Sequence, residues 1–218
     1  MVSFLFSDVE EAALLGATMN ETIEFYFDFS SPYGYFASHR IDELAGRFGR
    51  QVKWKPVMIG AAFKKTGAEP LIKQPMKGEY SQHDWRRLGR YMEVPWTLPD
   101  PFPITALAPS RAFYWIDDRD TEQARRFAKS AYGAYFGEGR DISVPQTVAG
   151  IAAALDVGRD ELLAALERPA VKERLRKETG EAIDRGVFGS PFIFVDGEPF
   201  WGSDRLWMVK KWLERGGW

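Results

Sequence analysis

Two serine-proline pairs, Ser31-Pro32 and Ser190-Pro191, carry the chemistry most easily read from this chain, which has no cysteine at all. Ser31 stands before a proline at a predicted helix start. There its hydroxyl caps the helix, Pro32 gives up no needed N–H, and the free first-turn N–H groups favour an anion. A lone Ser-Pro is an ordinary cap and nothing more. The absence of cysteine excludes disulfides, thiolate zinc sites, Cys-x-x-Cys redox chemistry and a cysteine nucleophile, so any thiol must come from a ligand. The two histidines, His39 and His83, have no mutual ligand spacing, and no metal site is expected.

The elements that position Ser31 are a strand and a helix. Ile23, Phe25, Phe27 and Phe29 alternate with Glu24, Tyr26 and Asp28, the period of a strand with one buried face. Then Ala37, Ile41, Leu44, Ala45 and Phe48 recur at helical spacing up to Gly49, which predicts a single helix over residues 32–48. A second strand is predicted over 51–58, with Val52 and Trp54 on one face and Lys53 and Lys55 on the other. Strand, helix and strand at this spacing form a parallel βαβ unit.

Composition narrows the function classes. A net charge of −2 and a pI near 5.8 give no footprint for nucleic acid or anionic membrane, so the partner is a small molecule or a protein. With 45% hydrophobic residues the chain can bury a large core. Acidic residues interrupt the apolar runs of residues 1–20, with no basic residue before them. That stretch reads as a disordered extension rather than a signal or membrane span, and the protein as cytoplasmic.

Residues 60–80 lack periodicity and read as a long loop. Helices are predicted over 83–92, 106–115, 121–136, 144–155, 159–166 and 170–185, an all-helical insertion with no internal repeat. Strand signals return at Phe192–Val195 and Glu198–Trp201, joined by the hairpin turn Asp196-Gly197, with Pro199 marking an edge strand. A last helix spans 203–215. The order β-α-β, helical insertion, β-β-α is that of an α/β thioredoxin-like fold: residues 21–60 and 187–218 form the thioredoxin-like part, and 61–186 form the loop and insertion. In that fold the start of the first helix lies beside the loop entering the third strand, here Ser190-Pro191, and that proline is expected to be cis.

The segments FYFDFSSPYGY, KGEY from Lys77, FGSPFIF from Phe188 and WGSDR from Trp201 resemble the 2-hydroxychromene-2-carboxylate isomerases and the related kappa-class glutathione transferases. The resemblance runs in order from Ile23 to the C-terminus. The wider group includes disulfide oxidoreductases with Cys-x-x-Cys where this chain has Ser31-Pro32-Tyr33-Gly34.

The resemblance implies a homodimer that binds glutathione and uses its thiolate to isomerise an aromatic-degradation intermediate by reversible addition. Ser31 would stabilise the thiolate. Ser190, beside Pro191, would pair with the peptide backbone, Ser203 and Asp204 would hold the γ-glutamyl end, and Lys77 would reach a carboxylate. Asp204 also reads as a first-turn acid, and Lys77 as a solvated lysine. The cluster His83, Asp84 and Trp85 reads as a helix start. Thr66-Gly67-Ala68 departs from the family, which often has Asn after Thr-Gly. A glutathione transferase and a noncatalytic binding module are the alternatives.

Overall fold

The computed structural model describes residues 22–218, so the extension expected over 1–20 lies outside the described residues. Strand β1 (Thr22–Phe27) pairs in parallel with β2 (Gln51–Pro56), setting Phe25 opposite Trp54, and antiparallel with β3 (Phe192–Val195), setting Phe25 opposite Ile193. β4 (Glu198–Trp201) completes the order β2-β1-β3-β4 and is an edge, where Pro199 costs no ladder bond on its open side. Asp196 (φ 54°) and Gly197 (φ 90°) both lie in the left-handed region that a tight hairpin turn requires.

β1 is buried on both faces, against the single buried face expected. Phe25 and Phe27 point into the main core, while Tyr26 packs with Val57, Ile59, Ala182 and Phe192 beneath helices on the other side. The polar-looking alternation of Glu24, Tyr26 and Asp28 therefore marks a second, half-polar interior.

The predicted helix over 32–48 is two helices, α1 (Pro32–Ser38) and α2 (Ile41–Gly46). The Ser38 hydroxyl donates to the Tyr35 carbonyl (2.6 Å) and competes for an acceptor the helical ladder needs, and Arg40 leaves helical geometry at φ −122°. The predicted loop over 60–80 is also largely ordered into helix: α3 (Ile59–Thr66), a 3-10 turn (Leu71–Lys73) and the first turn of α4 (Lys77–Met92). α3 buries only Ile59 and Ala62 before Gly67 (φ 72°) ends it, too few positions to display a period. The start of α4 buries Gly78 and Ser81, which no hydrophobicity pattern marks. Gly78 lies flush against the 3-10 turn, where a Cβ would stand 2.6 Å from the Ile72 carbonyl oxygen.

The remaining helices are α5 (Leu107–Asp117), α6 (Thr121–Tyr132) with a π turn (Gly133–Gly137), α7 (Pro145–Ala153), α8 (Arg159–Leu166), α9 (Pro169–Asp184) and, after a 3-10 turn at Ser203–Arg205, α10 (Leu206–Arg215). One continuous core joins Phe25, Phe27 and Trp54 of the sheet to Phe113, Phe127 and Tyr132 of the helical region. Among the described residues no helix is long and apolar enough to cross a membrane, and no group of three or more acidic or histidine side chains could hold a metal ion.

Candidate active site

Ser31 is the N-cap of α1, and the strand, the helix and the Ser190 loop converge on it. Its backbone is extended (φ −101°, ψ 112°), and its Oγ accepts the Gly34 N–H at 3.1 Å. The same hydroxyl donates its proton to the Ser190 carbonyl at 2.9 Å. Ser190 Oγ in turn accepts the Asp28 N–H at 2.9 Å, and the Asp28 carbonyl accepts the Ser31 N–H at 2.9 Å. These four bonds tie the end of β1, the start of α1 and the loop entering β3 into one unit, and the Ser190-Pro191 peptide is cis, as the fold led us to expect. α1 has only seven residues, but the dipole's effect is confined to the first turn, so its shortness costs little there. With Pro32 lacking an N–H and that of Gly34 given to Ser31, helical geometry leaves the Tyr33 N–H as the first-turn donor without an intrahelical partner.

Asp28, three residues before Ser31, is buried, where an outward strand position was expected. One carboxylate oxygen accepts the Ser30 N–H (2.8 Å) and the other the Ile59 N–H (2.9 Å). Burial pushes its pKa up to about 6, and the two N–H bonds oppose that rise without cancelling it. Asp28 thus clamps the loop that carries Ser31 to the start of α3.

The 3-10 turn bearing Ser203 and Asp204 packs beside α1, which brings Ser203 to the same end of the sheet as Ser31 and Ser190. The turn is anchored by the Gly202 N–H, which donates to the Pro191 carbonyl at 3.0 Å. Asp204 is exposed and pairs with its neighbour Arg205 at 2.6 Å. Lys77, read as a loop residue, is the first residue of α4; among the described residues its exposed ammonium has no ion-pair or hydrogen-bond partner.

The body of α4 packs against α1, and there Tyr33 donates to Asp84 Oδ2 at 2.9 Å. Arg87 holds the other Asp84 oxygen. Burial together with the Asp84 charge keeps the Tyr33 hydroxyl protonated. The expected cluster of His83, Asp84 and Trp85 is therefore dispersed. Asp84 lies mid-helix rather than at a cap, Trp85 is core, and His83 faces solvent. Sequence reasoning missed Asp28, the Tyr33–Asp84 contact and Tyr132, whose hydroxyl donates to the Asp28 carbonyl at 2.8 Å. Only Asp28, an acid at a strand end next to a helix cap, left a local signal.

A scan of family models matches residues 22–214 to the DSBA-like thioredoxin domain. The chain belongs to that family. Within it, the chain is 32% identical to a 2-hydroxychromene-2-carboxylate isomerase of Sphingobium xenophagum, over 89% of this chain and 99% of the relative. It is also 27% identical to glutathione S-transferase kappa 2 of Caenorhabditis elegans, over 88% of this chain and 92% of the relative. A solved 2-hydroxychromene-2-carboxylate isomerase superposes with a TM-score of 0.82 at 26% identity, covering 89% of this chain and 95% of that one. These matches place the chain in the group of the family that holds the isomerases and the kappa-class transferases.

Proposed function

We propose that this protein is a glutathione-dependent isomerase acting on 2-hydroxychromene-2-carboxylate or a closely related unsaturated aromatic carboxylate. The observation that carries the reading is the 2.9 Å bond from Ser31 Oγ to the Ser190 carbonyl, in a chain with no thiol of its own. A serine hydroxyl, a free first-turn N–H and a strand-entry loop meet there, and this donor set fits a peptide that carries a thiol. When bound, glutathione would supply the nucleophilic sulfur that adds to the substrate's double bond and leaves again after rotation.

The chain's own residues then have defined tasks. Ser31 has one proton, now given to Ser190; turning it toward a sulfur stabilises the thiolate and frees the Ser190 carbonyl to accept an amide N–H of the peptide. Tyr33 N–H adds a second donor. Ser203 and Asp204 would receive the γ-glutamyl carboxylate and amino group, and Lys77 a carboxylate. The side chain of Tyr33, held by Asp84 and packed against Trp85, would supply an aromatic wall for the substrate. The same reading includes a cytoplasmic homodimer, which light scattering in solution would check for its dimeric part.

Glutathione binding by calorimetry and conversion of 2-hydroxychromene-2-carboxylate followed by absorbance test the reading together. Binding with glutathione-dependent isomerisation is the expected result. Binding with conjugation of a generic electrophile and no isomerisation selects a transferase, the activity named for the Caenorhabditis elegans relative. No binding at millimolar glutathione discards both.

A further inference from the structure

α1 contains one residue without a side chain in its first turn, Gly34, and the space beside it is taken by hydroxyl groups. A Cβ at Gly34 would collide with the Tyr132 hydroxyl and stand 3.0 Å from Ser190 Oγ. Tyr132 comes from α6, in the helical region, and is fully buried. Its hydroxyl donates to the Asp28 carbonyl at 2.8 Å, the same oxygen that receives the Ser31 N–H at 2.9 Å.

We propose that Tyr132 is a positioning residue for Ser31, acting through the shared Asp28 carbonyl and through its close fit against Gly34. A buried tyrosine with a satisfied hydroxyl is common in cores; what sets this one apart is where its bond lands. The Asp28 carbonyl has two lone pairs, one given to Ser31 and the other to Tyr132. Removing the second donor changes the acceptor that fixes the Ser31 backbone. The phenol cannot drift, because its ring is packed 5.6 Å from Phe27 and 5.3 Å from Phe29. Burial also raises its pKa well above the ordinary value, so it remains a donor throughout the neutral range. By this route the helical region, far away in sequence, sets the angle at which Ser31 presents its hydroxyl.

The kinetic part of the test rests on the glutathione reading above; the structural part does not. Tyr132→Phe, Gly34→Ala and the double variant are compared in the full chain by hydrogen exchange at the Ser31 amide, by the ultraviolet pKa of bound glutathione, and by kcat and KM. Tyr132→Phe should speed Ser31 exchange, raise the thiol pKa and lower kcat roughly 10-fold, with KM little changed, as for a catalytic group moved from its productive geometry. Gly34→Ala should be the most damaging, and adding Tyr132→Phe to it should restore part of the loss, because the colliding oxygen is gone. Unchanged Ser31 exchange in Tyr132→Phe, or a double variant no better than Gly34→Ala alone, overturns the proposal. If the wild-type chain binds no glutathione, the cofactor reading falls while the exchange measurements still decide this one.

Discussion

At the scale of single residues, the hydroxyl of Ser31 has one proton and two claims on it. It now goes to Ser190, and the proposed chemistry needs it at a sulfur. Ser31→Ala removes both uses, and the pKa of bound glutathione, read by ultraviolet titration, should rise while the fold survives, since losing an N-cap costs about 1 kcal/mol. An unshifted thiol pKa would remove Ser31 from that role. Asp204 presents a weaker case. Its carboxylate is exposed and already paired with Arg205, so a ligand amino group would have to compete with that pair and with water. Asp204→Asn should weaken glutathione binding by about 1.5 kcal/mol, the low end of the range for a charge-assisted hydrogen bond, and an unchanged calorimetric dissociation constant would take it out of the site.

At the scale of elements, the parts with strong local signals were legible in the sequence. β3, β4 and their hairpin turn fall where the apolar run from Phe192 and Asp196-Gly197 put them, and α8 matches residue for residue. The fold followed from element order. What could not be read were elements whose buried side is small or polar. α3 and the first turn of α4 hide behind glycine, serine and lysine. The break between α1 and α2 falls at Ser38, whose hydroxyl takes a backbone acceptor, and at Arg40, and no apolar period records either. The site was half legible for the same reason: Ser31 and Ser190 announced themselves by their prolines, whereas Tyr132 looks like any other residue of an apolar stripe until the fold carries it to Asp28. α4 yields a prediction at this scale. Gly78→Ala should push the helix start off the Ile72 carbonyl, at about 1 to 3 kcal/mol for overpacking, and in doing so shift Lys77 and raise KM for the carboxylate substrate. Chemical denaturation together with kinetics checks it, and a variant with wild-type stability and KM would show that the start of α4 is not fixed by this contact.

At the scale of the whole molecule, Asp28 sits where the sheet, α1, α3 and, through Tyr132, the helical region meet, and its ionisation is felt by all of them. Its pKa in the folded chain is about 6, against an ordinary 3.8. A carboxyl with a raised folded pKa binds its proton more tightly in the native state than in the unfolded state. Its contribution is therefore most favourable below about pH 4, declines as pH rises toward 6, and is constant above that. At about 1.36 kcal/mol per unit, the two-unit gap corresponds to about 3 kcal/mol. Carboxylates with lowered pKa, such as Glu24 beside Arg185, work in the opposite direction, so the total profile mixes the two. The comparison with Asp28→Asn isolates the term. The amide keeps one acceptor oxygen and turns its NH2 toward one of the two N–H groups, Ser30 or Ile59, a cost that does not vary with pH. Measured by urea unfolding at pH 4 and pH 7, the variant should therefore improve relative to wild type by about 2 kcal/mol between the two, most of the full gap, because only wild type acquires a buried charge over that interval. A wild-type minus variant difference that is the same at both pH values would mean that Asp28 titrates near its ordinary value, with the two N–H bonds balancing its burial.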